Sequence, residues 1–319
     1  MSNKLTAIII LNYNNYRDTI NCIESIEKHN KSSIKYIIVD NGSLHDNVVR
    51  ELDIYLSQKF SSNYSLIYDN DKAPSELPYC TLLSSSTNTG YACGNKKGLS
   101  LAYTDKTIDN VLILNNDVLF IEDFIETLSN RLWCDENSII STPVVLKKDG
   151  VSVDPNCARK FKGIFYITFW FLLNPIDILG LLKRVNNKLY YFGTNKQEYT
   201  QELSIDMPSG SCFMAKKNDF KEIEDFDSYT FLFYEEDILA KKIKKQGKKC
   251  ILIPNTYCIH LGSGSTKSVT SDYIYKTAIR SARYYIKEYC SANLLQLVLF
   301  DISANIGRLL NGVMTLFFK

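Results

Sequence analysis

Three acidic residues stand side by side at Glu235-Glu236-Asp237. Adjacent carboxylates repel, so at least one is driven toward protonation unless a cation or substrate compensates, and that is the state a general base needs. The same triplet also suits the positive end of a helix dipole, a purely structural use. A second candidate is Asn115-Asn116-Asp117, which follows an apolar run. An amide and a carboxylate two residues apart can share one hard divalent cation, Mg2+ or Mn2+, with substrate phosphate completing the shell; a turn closing a strand explains the same residues. Asp40, in Asp40-Asn41-Gly42-Ser43, can accept from a pyrimidine imide or a ribose hydroxyl, although Asp-Asn-Gly is ordinary turn chemistry. Asn88-Thr89-Gly90, with Asn95 beyond it, precedes a helical pattern whose N–H groups can face a diphosphate. It is neither a Gly-Lys-Ser/Thr loop nor G-x-G-x-x-G. Of three histidines, His260 follows a strand and precedes the Gly/Ser-rich 262–266, whereas His29 at a helix end and His45 in a polar loop need no chemical role.

The surrounding pattern says what must position these groups. Apolar runs at 5–11, 34–39 and 110–114 read as strands, the first, rich in Ile, buried on both faces, and 16–29, 46–59 and 94–103 read as helices between them. A polar stretch at 61–78 holds a short strand at 65–68. Strand–helix–strand alternation implies a parallel sheet with right-handed crossovers, whose ligands sit beyond the carboxyl ends of the strands. Asn12, Asp40 and Asp117 all fall at such ends. The spacing further predicts a helix at 120–130, strands at 139–146, 211–215 and 250–253, the last ending at Pro254, and helices at 236–245 and 272–290. Residues 294–318 read as one helix or a pair.

Composition narrows the class. The 319 residues carry 37 Lys+Arg against 35 Asp+Glu, so the electrostatic footprint of a nucleic-acid binder is missing. Nine cysteines include no C-x-x-C pair, which excludes a zinc ribbon and fits free thiols in a reducing compartment. The first apolar run is too short for an export signal and no stretch reaches the ~18 apolar residues of a spanning helix, so the expected location is the cytosol. Aromatic residues make up 12%, dense in 161–192, 226–234 and 273–289. Six lysines crowd 241–249. These features leave three uses open: core, a homodimer interface, or contact with the inner face of a membrane, where a lipid-linked substrate would be met.

In order along the chain, these pieces resemble a bacterial family-two glycosyltransferase of GT-A fold. The resemblance is carried by Ile8-Ile9-Ile10-Leu11-Asn12-Tyr13-Asn14, Ile37-Ile38-Val39-Asp40-Asn41-Gly42-Ser43, Asn88-x-Gly90 with Asn95, and Leu112-Ile113-Leu114-Asn115-Asn116-Asp117. It continues through Gly210-Ser211-Cys212, Phe226-Asp227 and Phe231 to Asp237 and ends at His260. The Asn-Asn-Asp form looks like enzymes of surface-polysaccharide or capsule assembly, including rhamnosyl- and galactosyltransferases. The resemblance implies an α/β fold with a Rossmann-like, mostly parallel central sheet flanked by helices, plus a C-terminal helical extension. It implies a donor-binding half at 1–130, an acceptor and catalytic half at 131–268, and a helical region at 269–319.

By the same resemblance Asn12, Tyr13 and Asp40 hold a nucleoside, and Asn88, Gly90, Asn95, Asn115 and Asn116 line the nucleotide sugar. Asp117 and His260 bind Mn2+ or Mg2+, and Gly210 and Glu235 face the acceptor. The implied reaction is inverting transfer from a nucleoside-diphosphate sugar, UDP or dTDP ahead of GDP, to a saccharide acceptor, free or lipid-linked. The base falls on Glu236 when the helix is aligned on Gly247, with Asp237 one step later. A sugar-1-phosphate nucleotidyltransferase is disfavoured because the first strand ends in Asn12-Tyr13-Asn14-Asn15, with no glycine before Gly42. A non-catalytic scaffold of the same fold, binding glycan or a partner protein, is the alternative function.

Overall fold

The computed structural model describes residues 4–45, 47–177, 182, 185, 187–262 and 271–317. β1 (Thr6–Asn12) is apolar at consecutive positions because both its faces are covered, as a central parallel strand requires. α1 (Tyr16–His29) returns over the sheet, burying Cys22, Ile23 and Ile26 and capped by the Asn15 side chain, which accepts from the Asp18 N–H. β2 (Ile34–Asp40), α2 (Asn47–Phe60), β3 (Tyr64–Tyr68), β4 (Cys80–Ser84), α3 (Gly90–Thr104) and β5 (Asn110–Asn115) complete the first half. In it β3, β4, β2, β1 and β5 lie in that order, all parallel.

β6 (Val118–Phe120), α4 (Ile125–Trp133), β7 (Ser138–Leu146), α5 (Ile164–Leu173), β8 (Leu203–Ile205), β9 (Cys212–Lys216), α6 (Lys217–Glu222), α7 (Glu235–Lys245) and β10 (Lys249–His260) follow. The sheet continues through β9, β7, β10 and β6, with β8 pairing on β10. β9 runs antiparallel to both β5 and β7, whereas β10 is parallel to β7. The expected mostly parallel α/β architecture with C-terminal helices is what the chain adopts. α8 (Ser271–Glu288) and α9 (Leu294–Phe317) pack with α5 as a helical lobe, around a second core that holds Phe171, Tyr285 and Phe300.

Four local expectations need correction. β4 was not anticipated, since Cys80-Thr81-Leu82-Leu83 is short and follows a polar, proline-containing stretch. α3 starts at Gly90 rather than 94, because Gly90 adopts φ +83° and turns the chain into the helix. The helix expected at 120–130 is the end of β6 followed by α4. β10 runs on past Pro254 to His260: a register shift between Ile253 and Tyr257 takes Pro254, Asn255 and Thr256 out of the ladder, which is how a strand accommodates proline.

The aromatic excess is mainly packing. Tyr36, Tyr199, Tyr285, Phe120, Phe124, Phe171, Phe213, Phe220, Phe226 and Phe300 are fully buried. In the Tyr-rich α8, Tyr284 donates to Asp227 Oδ2 at 2.9 Å and stacks on Tyr229 with centroids 3.9 Å apart. All nine cysteines are unpaired.

Candidate active site

The carboxyl ends of β1, β2 and β5 meet through short polar contacts. Asn12 Nδ2 donates to Asp40 Oδ1 at 2.7 Å, and the Ser43 N–H donates to Asp40 Oδ2 at 3.1 Å. Asp40 is thereby fixed at the strand end with its carboxylate nearly buried. Asn116 Nδ2 reaches Asn12 Oδ1 at 3.3 Å, Thr19 Oγ1 at 3.1 Å and the Asn15 carbonyl at 3.1 Å. Asn12 and Asn116 therefore brace one another and the start of α1. Tyr13 follows Asn12 and is partly exposed.

The loop before α3 is held by a residue the sequence reading passed over. Buried Asn41 donates from Nδ2 to Asn88 Oδ1 and to the Gly90 carbonyl, both at 3.0 Å, and its Oδ1 accepts from the Thr89 N–H at 3.2 Å. Asn88 Oδ1 also accepts from the Gly90 N–H at 2.9 Å. Asn88 is thus a clamp on the helix start. Asn95, one turn into α3, is fully buried; its Nδ2 donates to the Tyr91 carbonyl at 3.0 Å, and its Oδ1 has no hydrogen-bond partner.

Asp117 and His260 are brought together by the ladder. β10 pairs antiparallel with β6, placing His260 opposite Val118, and the Leu261 N–H donates to the Asp117 carbonyl at 3.0 Å. His260 Nε2 lies 3.2 Å from Asp117 Oδ1. Burial opposes the imidazolium, but the hydrogen bond and charge of Asp117 outweigh it and raise the His260 pKa above its ordinary value. The proton between them is what a divalent cation would replace, and a carboxylate oxygen with an imidazole nitrogen is a donor set that Mn2+ accepts. Among the described residues no group of three or more His, Cys, Asp or Glu side chains forms a metal cage, so a cation there would need further ligands from substrate. The loop expected to follow His260 lies outside the described residues from 263 on.

The acidic triplet opens α7 after Phe233 and Tyr234, both at positive φ (+74° and +68°). That approach is pinned at both ends of 231–232: the Phe231 carbonyl accepts from the Tyr91 N–H at 2.9 Å, and the Leu232 carbonyl accepts from Ser281 Oγ at 2.9 Å. Glu235 and Asp237 are buried, whereas the Glu236 side chain keeps 22% of its surface exposed. The strain of crowding falls on Glu235, whose pKa is pushed up to about 8, first by burial and then by the adjacent Glu236 charge.

Two cations compensate the others. Arg159 Nη2 stands 3.7 Å from Glu236 Oε1, and Lys162 Nζ stands 3.4 Å from Asp237 Oδ1. Sequence reading missed both. Their signal was the basic run Arg159-Lys160 with Lys162 just before the aromatic helix α5, far in sequence from the acids they serve.

Ser209-Gly210-Ser211 ties the pieces together. The Ser211 carbonyl accepts from the Asn115 N–H at 2.9 Å, and the Gly210 carbonyl accepts from Tyr91 Oη at 2.6 Å. A Cβ on Gly210 would come within 2.2 Å of Glu236 Oε1. Glycine is required for the carboxylate to lie against this turn. One short turn therefore separates the Asn115-Asn116-Asp117 end of β5 from Glu236.

This edge has counterparts in known proteins. The model of the family "Glycosyl transferase family 2" matches residues 7–223, more than two thirds of the chain. The chain belongs to glycosyl transferase family 2. The family match ends before Glu235-Glu236-Asp237 and His260. A low-salt glycan biosynthesis hexosyltransferase, Agl10 of Haloferax volcanii, is 23% identical over 230 residues, covering 72% of this chain and 58% of Agl10. The crystal structure of GalNAc-T7 with UDP, GalNAc and Mn2+ superposes with a TM-score of 0.60 at 12% identity, over 95% of this chain and 55% of that one. The likeness shows the fold. This family-two chain spans somewhat more than half the length of each of these two relatives.

Proposed function

We propose that this chain is an inverting glycosyltransferase that moves a hexose-type sugar from a nucleoside-diphosphate sugar, UDP or dTDP, to a saccharide hydroxyl, free or lipid-linked. The observation that carries the reading is the Ser209-Gly210-Ser211 turn, which sets Glu236 against Gly210 while hydrogen bonding to Asn115 beside Asp117. The turn thereby links a carboxylate that would take a proton to the strand end that would face the diphosphate, the two ends of one displacement. Family membership and the likeness to Agl10, a hexosyltransferase of glycan biosynthesis, support the reaction class, and a role in surface-polysaccharide assembly is part of the same proposal.

In the proposed roles, Asp40 and Tyr13 receive the nucleoside at the ends of β1 and β2. Asn12 and Asn116 hold that edge rigid, and Asn88, Gly90 and Asn95 shape the start of α3 toward the diphosphate. Asp117 and His260 would hold Mn2+ or Mg2+, which supplies positive charge for the departing diphosphate. The acceptor oxygen attacks the anomeric carbon from the face opposite the leaving group and Glu236 takes its proton. The bond from the anomeric carbon to the diphosphate oxygen breaks with its electron pair, and configuration inverts. Asp237, buried and paired with Lys162, is less accessible to an acceptor than Glu236, and Gly210 lies against the Glu236 carboxylate on that side.

A panel of UDP-, dTDP- and GDP-sugars with Mn2+, read by calorimetric binding and slow hydrolysis, tests the reading. Hydrolysis is expected to stop with EDTA and return with Mn2+. Glu236→Gln is expected to lower turnover by about 10²–10⁴ with donor affinity held. Unchanged turnover would move the base to Asp237, and lost donor affinity would make Glu236 a binding residue.

A further inference from the structure

α9 carries two apolar faces. One is buried through Leu297, Phe300 and Ala304, and Gly307 lets the helix approach α5 so closely that a Cβ would stand 1.8 Å from the Phe171 carbonyl oxygen. The other face is bare: Leu295, Leu299, Ile302, Ile306, Leu309 and Val313 are 44–72% exposed. Their steps of four, three, four, three and four residues are those of a heptad seam. Leu299, Ile306 and Val313 take the a positions, and Leu295, Ile302 and Leu309 the d positions. β-branched residues dominate a and leucine dominates d, the distribution that favours two parallel strands.

With Leu294 and Val298 alongside, this face offers on the order of 800 Å² of apolar surface. That is more than the ~300–600 Å² of the largest patch on a typical monomer, and close to the ~800 Å² each partner gives to a stable interface.

Charge decides against a lipid surface. A helix lying in an anionic interface flanks its apolar face with free lysines and arginines. The charged residues of 294–313 are Asp301 and Arg308, one of each sign, with 38% and 40% of their side chains exposed. Asp301 is held by Arg283 and Arg308 by Asp272, with the shortest contact of each pair 2.8 Å, so both are committed to α8. Four of the six lysines of 241–249 (Lys241, Lys242, Lys244 and Lys245) line a cleft with Glu288, Tyr289 and Ser291, ahead of α9, and none lies on α9 itself.

We propose that the outer face of α9 is the interface with a second copy of this chain, formed as a parallel two-fold seam in which each a and d residue meets its own counterpart. An isologous pairing of this kind needs one self-complementary stripe and no second patch.

Sedimentation velocity on the full chain at micromolar concentration is expected to show twice the chain mass. Ile302→Lys with Ile306→Lys is expected to raise the dimer dissociation constant by at least about 30-fold, the loss of one interface anchor or more, with the far-UV circular-dichroism spectrum unchanged. Should that double variant lose its fold, Ile306→Asn alone replaces it. Ile306→Cys in a Cys134→Ser background should form an intermolecular disulfide under mild oxidation, as a parallel seam brings the two a positions together. A monomeric wild type, or a lysine variant that is folded and still dimeric, overturns the proposal. Flotation of a monomeric wild type with phosphatidylglycerol/phosphatidylethanolamine vesicles would make lipid the occupant instead.

Discussion

Glu235 is the residue at which the electrostatics of the acidic triplet can be measured apart from any reaction. It is buried, its pKa is raised to about 8, and the value in an unfolded chain is 4.5. The neutral carboxyl is therefore favoured by the fold, and its contribution to stability is fully present below about pH 4.5. That contribution is lost as pH rises to and through about 8. Glu235→Gln keeps the shape and removes the titration. Urea midpoints at pH 5.5 and 8.5 should show the variant gaining on the wild type as pH rises, and an equal difference at both pH values would refute the assignment. With Glu235 held neutral, the start of α7 sets Glu236 and Asp237 against Arg159 and Lys162. This balance explains how three adjacent acids are tolerated. The acids were legible in the sequence as a cluster; their division of labour was not, since burial of Glu235 and Asp237 and exposure of Glu236 depend on packing from α3, α8 and the Gly210 turn.

At the scale of elements, the start of α3 shows how one glycine joins two regions. Gly90 has φ +83°, and a Cβ there would stand 2.1 Å from the Phe231 carbonyl oxygen, just ahead of the acidic helix. Gly90→Ala is expected to cost about 2–4 kcal/mol, from left-handed strain plus a forced backbone shift. Gly163→Ala, at a position with open space and ordinary φ, should be near neutral by the same urea titration. Comparable losses in the two variants would count against the packing argument.

Most strands of the first half could be read from the sequence because each is a run of β-branched and aliphatic residues ended by a polar turn. The elements that escaped were of other kinds. β4 is a short Cys-Thr-Leu-Leu-Ser segment behind a polar, proline-containing stretch, β6 is three residues long, and β10 hides a proline in a bulge. The meeting of His260 with Asp117 was implied by the family resemblance and could not be read from spacing, because an antiparallel ladder between strands far apart in sequence makes it.

The whole molecule raises the question of whether the helical lobe is an appendage or part of the catalytic body. Ile238, on the helix that Glu236 opens, is buried in the same cluster as Phe171, Tyr285 and Phe300, and Tyr234 packs on it with a ring centroid 5.4 Å from that of Tyr285. Phe300 is fully buried and meets Phe171 edge-on with centroids 5.5 Å apart. Phe300→Ala should therefore cost about 3–5 kcal/mol, the usual loss for a core phenylalanine. The two tryptophans separate the possibilities. Trp133 lies in α4 and donates to Asn110 Oδ1 at 2.9 Å, on the sheet, whereas Trp170 is in α5. In a Trp170→Phe background, Trp133 fluorescence reports the sheet alone. If the lobe and the sheet form one cooperative unit, Phe300→Ala lowers the Trp133 midpoint as much as the circular-dichroism midpoint. A Trp133 transition left in place while helical signal is lost earlier would mean that the lobe unfolds alone. Cooperative unfolding would make the lobe and the helix that carries Glu236 one folding unit, joined through the burial of Ile238.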